Sequence, residues 1–269
     1  MPLPIDLILV RHGQSEGNAA KRLSEKGDNS GFAALDGRHT RSFRLSAKGR
    51  DQAIGAGKWL LNEFTKNGKT FDRFITSEYV RSMETAALLG LPDALWYRNL
   101  YITERDWGEL DICPEDERSE KFSKAMQMHV IEPFFWRPPN GESLAQLCLR
   151  LDRALLTLHR ECSDMRVIIV CHGEVMRAFR VLIERMSQQQ FKATYLSRQK
   201  EDRVNNCEIM HYSRRDPETG SIAQHANWMR RVRPDEAPVW TTGWQKIERP
   251  KYSNDELLKI VELSPAVLE

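Results

Sequence analysis

The feature that most constrains this chain occurs twice: an aliphatic run that stops at a histidine and a glycine. Ile5 to Val10 leads into Arg11-His12-Gly13, and Arg166 to Cys171 leads into His172-Gly173. Continuous aliphatic runs of this length are the signature of strands buried on both faces, and such strands belong to parallel sheets covered by helices. The intervening sequence supplies the covers. Ser46 caps a helical spacing of Ile54, Leu61 and Phe64, which predicts a helix over 47–64. Phe71 to Thr76 reads as a strand that stops at Ser77, and Tyr79 to Leu89 as a helix closed by Gly90. Leu144, Leu147, Leu151, Leu155 and Leu158 form one apolar stripe, and Val175, Phe179, Leu182 and Met186 form another. Strand and helix alternate, so the expected class is α/β: a three-layer α/β/α sandwich with a mostly parallel central sheet. Asn206 to Arg214 and Ala223 to Val232 alternate as strands about the turn Asp216-Pro217-Glu218-Thr219-Gly220, predicting an antiparallel edge hairpin.

A length of 269 residues with 41% apolar content suits one large domain, placed at 1–233. Beyond it, residues 234–269 are rich in proline and charge and read as a tail packed on the domain or partly loose, with one short helix over Asn254 to Leu263. Forty basic against 38 acidic residues leave a formal charge of +2, which does not call for nucleic acid; any strong positive potential must be local. Five cysteines without paired spacing read as reduced thiols. Residues 1–10 carry Asp6 inside a short apolar run, which fits a strand better than a secretory signal, and no stretch is apolar enough to span a bilayer. The expectation is a cytoplasmic protein that acts on a small molecule.

In a parallel sheet the two matching strand ends deliver two imidazoles to one rim, where ligands collect. A neutral imidazole can attack phosphorus when cations hold the phosphoryl oxygens. Arg11 stands beside His12, and Arg81 lies about one helical turn past the end of the next strand. The guanidinium fork suits phosphate oxygens. A rival reading pairs Cys171 with Arg177 at the spacing of cysteine-dependent phosphatases. Glu174 inside that loop would oppose a phosphate dianion, and Val175 and Met176 fit a helix, so Cys171 is expected to be a buried strand residue. A metal between His12 and His172 is disfavoured by the adjacent Arg11 and by the lack of further ligand spacing.

Several motifs in order resemble the histidine phosphatase (phosphoglycerate mutase-like) superfamily across roughly the first four-fifths of the chain. They are Arg11-His12-Gly13-Gln14-Ser15-Glu16-Gly17-Asn18, Leu45 to Ala53, Ser77 to Ala86 with Arg81, Thr103-Glu104-Arg105-Asp106-Trp107-Gly108-Glu109-Leu110, Asn140-Gly141-Glu142-Ser143, and Val170 to Glu174. The resemblance implies that His12 becomes phosphohistidine, that Arg11, Arg81 and His172 surround the phosphoryl group, and that Glu104 is the general acid. It also implies substrate contacts from Asn18 and Arg105, a phosphorylated small-molecule substrate, and neither metal nor cofactor. Asp106 and Glu109 stay open as alternative proton donors, and Glu142-Ser143 as no more than a helix start.

Within that family the mutases resembled carry a substrate-binding lysine after the glutamate segment and a later arginine pair followed by prolines. Here Asp111-Ile112-Cys113-Pro114-Glu115-Asp116 follows Leu110, and no such pair is visible in the corresponding region, which favours a phosphatase over a mutase. A non-catalytic scaffold is the third reading, opposed by the retention of both histidines and both arginines. The insert between Asn18 and Leu45 reads as a solvated loop, or as a lid in which Arg38, His39 or Arg41 senses a second anionic group.

Overall fold

The computed structural model describes residues 2–65 and 70–263; residue 1, residues 66–69 and the last part of the expected tail, 264–269, lie outside the described residues. In chain order the elements are β1 (Asp6–Arg11), α1 (Glu16–Ser24), α2 (Ser30–Ala33), α3 (Ala47–Phe64), β2 (Arg73–Ser77), α4 (Val80–Leu88) and β3 (Trp96–Asn99). There follow α5 (Glu115–Lys121), α6 (Ser123–Ile131), α7 (Leu144–Glu161), β4 (Arg166–Cys171), α8 (Gly173–Glu184) and α9 (Gln188–Leu196). The chain continues with β5 (Ile209–Ser213), β6 (Trp228–Arg233), the short β7 (Trp240–Thr241) and β8 (Gln245–Lys246), and α10 (Asn254–Glu262).

One sheet runs β3-β2-β4-β1-β5-β6-β7, with β8 also paired to β6. β3, β2, β4 and β1 are parallel, β5 pairs antiparallel with β1, and β6 pairs antiparallel with β5. Because side chains alternate across a strand, β1 and β4 feed two cores at once. Leu7, Leu9, Val167 and Ile169 pack with α7 and α8 on one face; Ile8, Val10, Ile168 and Val170 pack with α3 on the other. These are the three layers the strand–helix alternation predicts.

Three differences from the sequence expectations have physical causes. The buried face of α3 is carried by Ala53, Ala56, Leu60 and Phe64, whereas Ile54 is 40% exposed. Small residues mark that face because the helix backbone lies directly against loop backbone, most tightly at Gly49 and Gly57. The hairpin β5–β6 is not the sheet edge: β7 and β8, from the segment expected as a tail, pair on its outer side. Arg249 ties the chain beyond them by donating to the carbonyls of Ile183 and Ala226. The insert after Asn18 is not a solvated loop but folds as α1, α2 and a 3-10 turn around Ala20, Phe32, Leu35 and Phe43. No helix among the described residues is long and apolar enough to cross a membrane.

Candidate active site

The register of β1 against β4 builds the site. Arg11 is paired with Cys171, so the next residue of each strand, His12 and His172, emerges side by side at the carboxyl ends. Their ring centroids are 5.1 Å apart. His12 is 2% exposed, and its Nδ1 lies 2.7 Å from the Gly13 carbonyl, an acceptor only. That contact assigns the ring proton to Nδ1 and leaves the lone pair on Nε2. Burial first, then the charges of Arg81 and Arg11, hold the His12 pKa well below the ordinary imidazole value, so the ring is neutral near pH 7. Burial and the same two arginines, with His12, do likewise for His172. His172 Nε2 sits 2.8 Å from the Ser77 hydroxyl, and its Nδ1 is buried without a hydrogen-bond partner among the described residues.

Two guanidiniums close around the rings. Arg81, on the first turn of α4, donates from Nε to His12 Nε2 at 3.2 Å and from Nη1 to the Thr40 carbonyl at 2.7 Å. Arg11 is anchored through Nη1 on the Val204 carbonyl at 2.6 Å. The loop after His12 is pressed against the start of α3, where a Cβ on Gly13 would lie 2.2 Å from the Gly49 carbonyl oxygen. Only glycine permits that approach, and it fixes the height of His12 above the sheet. Asn18 belongs to a capping box at the start of α1, its side-chain oxygen accepting from Ser15 N and from Asn206 Nδ2, so its amide NH2 is the end left to a ligand. Asn206, expected only as part of a strand, also donates to the His12 carbonyl at 3.1 Å. No sequence pattern marked it, because its value arises from the path of the chain into β5.

Glu104 completes the centre. One carboxylate oxygen of Glu104 and one ring nitrogen each of His12 and His172 lie within 4.8 Å of one another. Burial, reinforced by the nearby Glu174 and opposed by Arg81, raises its pKa to about 7. The competing donors fall elsewhere: the Asp106 carboxylate accepts from Gly108 N, and Glu109 accepts from Asn140. Asp111 does line the cavity, and burial raises its pKa as well. Three such donors have the spacing of a metal site. The Arg81 Nε at 3.2 Å from His12 Nε2 opposes a cation there and favours an anion.

Arg105 does not join the phosphate-facing group. It is 1% exposed, and its Nε, Nη1 and Nη2 bond to the Glu142 carbonyl, the Glu174 carboxylate and the Trp136 carbonyl. A fork committed to those three partners, on a residue that does not line the cavity, is not free for a phosphate, so the expected substrate contact is corrected. Glu142 itself pairs with Arg150 at 2.7 Å, and Ser143 caps α7. Cys171 is fully buried in β4, and burial pushes its thiol far from thiolate formation.

A cavity of about 480 Å³ opens in front of Arg11, His12, Arg81 and Glu104. The insert does border it, but through Lys21, Phe32, Thr40 and Phe43. Arg38 turns away onto Glu16 at 3.1 Å, and His39 caps the 3-10 turn, so the expected reading of a second anion by Arg38, His39 or Arg41 is not what this arrangement provides. Arg177, named in sequence only as the partner of Cys171 in the rival reading, lines the cavity one turn into α8 and pairs with Glu174.

The chain is similar to known proteins in sequence and in fold. The sequence pattern of the histidine phosphatase superfamily (branch 1) matches residues 7–213. A 2,3-bisphosphoglycerate-dependent phosphoglycerate mutase from Methylorubrum populi is 32% identical over 187 residues, covering 67% of this chain and 80% of the relative. One of the same name from Bartonella bacilliformis is 32% identical over 197 residues, covering 68% and 84%. Among solved structures, the α-ribazole phosphatase from Shigella flexneri superposes with a TM-score of 0.59 at 17% identity, covering 82% of this chain and 96% of that one. A mycobacterial glucosyl-3-phosphoglycerate phosphatase does so with a TM-score of 0.57 at 19% identity, covering 77% and 92%.

Proposed function

This chain belongs to the histidine phosphatase superfamily, and from that premise we propose that it is a phosphomonoester phosphatase that works through a phosphohistidine at His12. The observation that carries the reading is the state of the His12 ring: Nδ1 is held by the Gly13 carbonyl and Nε2 is aimed between Arg81 and the Glu104 carboxyl. A substrate phosphoryl group takes over the Arg81 Nε–H, which frees Nε2 to attack phosphorus in line. As the P–N bond forms, the bond from phosphorus to the ester oxygen breaks, and protonated Glu104 gives its proton to that oxygen. The resulting carboxylate then takes a proton from water, whose oxygen attacks phosphorus, and cleavage of the P–N bond releases inorganic phosphate. Arg11, Arg81 and His172, whose Nδ1 has no partner among the described residues, are the groups that would offset charge on the phosphoryl oxygens, and no step calls for a metal ion.

Transfer between two positions of one sugar acid, as in a mutase, is the second reading, favoured by the names of the relatives at 32% identity. Two features support hydrolysis instead: the acidic run from Asp111 to Asp116, and a cavity of about 480 Å³ that leaves room for water beside a phosphorylated His12. Turnover of p-nitrophenyl phosphate in the presence of chelator, with 32P trapped on His12, is the expected result. Exchange between phosphoglycerate isomers without phosphate release would establish the mutase, and neither reaction would leave a binding scaffold.

A further inference from the structure

The run Asn140-Gly141-Glu142-Ser143 stands out in sequence, yet the proposed chemistry leaves it without a task. Ser143 caps α7. The residues before it are bonded to the segment that carries Glu104. Residues 103–107 of that segment lie outside any helix or strand, so their backbone has no ladder of its own to hold it. It is laid on the turn instead. Glu142 N donates to the Asp106 carbonyl at 2.8 Å, Glu109 N to the Pro139 carbonyl at 3.1 Å, and Arg105 Nε to the Glu142 carbonyl at 2.8 Å. The approach is close: a Cβ on Gly141 would stand 2.6 Å from the Asp106 carbonyl oxygen.

Arg150, about two turns into α7, completes the grip. Its Nε and Nη2 form a fork on the two Glu142 carboxylate oxygens at 2.7 and 2.9 Å. The same guanidinium donates from Nη1 to the Tyr101 carbonyl at 2.6 Å and from Nη2 to the carbonyl of Glu104 itself at 3.0 Å. Glu142 thus orients Arg150, and Arg150 holds both ends of the stretch 101–104. The Glu104 carboxyl is tied in turn, its Oε1 accepting from Arg105 N at 3.0 Å. Neither Glu142 nor Arg150 lines the cavity, and their side chains are only 18% and 21% exposed, so the pair is neither a substrate contact nor a freely solvated ion pair.

We propose that Glu142 and Arg150 are positioning residues for proton transfer: by holding the backbone on either side of Glu104 they set where its carboxyl stands against the ester oxygen. The assignment rests on the reading of Glu104 as the general acid of a phosphatase. A displacement of about 1 Å can cost on the order of 10²-fold in rate, so the pair governs turnover without meeting substrate.

Two esters that differ in leaving group test it. Phenyl phosphate needs its oxygen protonated as the bond to phosphorus breaks, whereas p-nitrophenolate departs as a stabilised anion. Comparison of kcat/KM covers only the steps through formation of the phosphoenzyme, so the shared hydrolysis of that intermediate does not enter. Arg150→Lys and Glu142→Gln are each expected to lower kcat/KM about 10- to 100-fold for phenyl phosphate and only about threefold for p-nitrophenyl phosphate. In a Glu104→Gln background neither change should alter the ratio of the two esters further. Equal losses on both esters, or a change of ratio that persists without the Glu104 carboxyl, would overturn the assignment. A wild-type ratio that Glu104→Gln leaves as it was would remove Glu104 as the acid, and the assignment with it. The nearly isosteric Glu142→Gln keeps the comparison available if Arg150→Lys does not fold. Hydrogen exchange reads the same grip without turnover: the amides of Arg105 and Asp106 should exchange about tenfold faster in either variant than in wild type. Faster exchange in a chain that hydrolyses neither ester would keep the grip and sink the phosphatase, and unchanged exchange at both amides would sink the grip whatever the turnover.

Discussion

Arg81 Nε and His12 Nε2 share a hydrogen bond of 3.2 Å, so the guanidinium rests where phosphorus must arrive. The contact fixes the imidazole tautomer, lowers its basicity and keeps a cation at the point of attack. Loss of the ring and loss of the fork should therefore differ. His12→Ala is expected to abolish both turnover and 32P labelling. Arg81→Lys retains a charge but not the fork, and kcat should fall about 10²- to 10³-fold, the scale of a lost transition-state donor. Labelling that persists in His12→Ala would place the nucleophile elsewhere.

The pH profile should be set by Glu104 on its basic side. Its pKa is raised to about 7, so the carboxyl is protonated below that value and kcat should decline as pH rises through it. The acidic limb should lie well below pH 6.5, because His12 stays neutral far into acid. Glu104→Gln is expected to lose about 10²- to 10⁴-fold in kcat and the basic limb with it. Stability should move the other way. A carboxyl whose folded pKa exceeds its unfolded value costs nothing below the ordinary glutamate value of 4.5 and penalises folding fully above about 7. The glutamine variant should accordingly gain melting temperature relative to wild type across that window. An unchanged basic limb in the variant would assign the acid to another group, with Asp111 the next to test.

Cys171 sits one residue before His172, but its side chain faces the α7–α8 core rather than the cavity. Cys171→Ala should keep turnover within about threefold and cost stability only on the order of 1 kcal/mol, as expected for a small core truncation. Iodoacetamide should leave the folded enzyme active. Inactivation that substrate protects against would revive the thiolate chemistry that the Cys171 to Arg177 spacing suggests.

Much of this site was legible in the sequence because its parts are tied to regular elements. Arg11, His12 and His172 end buried strands, Arg81 opens a helix, and the β1–β4 register makes their meeting unavoidable. The periodicity of α7 was equally plain, since a long helix on a sheet must show one apolar stripe. What stayed hidden lacked such a signal. α5 buries no residue and so has no apolar period, and α3 hides its packing face behind alanines and glycines. Asn206 and Arg105 owe their roles to where loops cross, which local pattern does not encode. Lys21, Arg118 and Arg177 were visible as charges but could not be assigned to one cavity until α1, α5 and α8 were seen to converge.

The contact between α3 and the histidine loop should be intolerant of a methyl group. A Cβ on Gly49 would stand 2.0 Å from the Gln14 carbonyl oxygen, and backbone cannot step aside as a side chain would. Gly49→Ala is expected to cost roughly 1–3 kcal/mol or more, as overpacking does, and to lower kcat by displacing His12. Gly55→Ala, in the same helix with nothing within 4 Å of the added carbon, should be neutral or slightly stabilising. Equal effects of the two changes in thermal unfolding would show that helix propensity, not the close approach, governs this position.

Glu208 offers the last test, because it couples stability to the site. It is fully buried, and its carboxylate takes the side chains of Arg231 and Arg233 at 2.7 and 2.9 Å through their Nε atoms. Those arginines in turn donate to the Lys200, Glu201 and Arg203 carbonyls, which fixes the loop that hands the Val204 carbonyl to Arg11 and Asn206 to His12. Glu208→Gln leaves buried Arg231 without its counter-charge and Arg233 with only Glu236, at 3.6 Å, and removing one partner of a buried charge pair costs roughly 3–5 kcal/mol. Melting temperature should fall by several degrees and, at temperatures where the variant remains folded, KM should rise as Arg11 loses its anchor. Arg233→Met, which removes one of the competing charges while filling its space, should be milder in the Glu208→Gln background than in the wild type. Additive losses in that double-mutant cycle would mean that the three residues do not act as a unit and that Arg11 is held by other means.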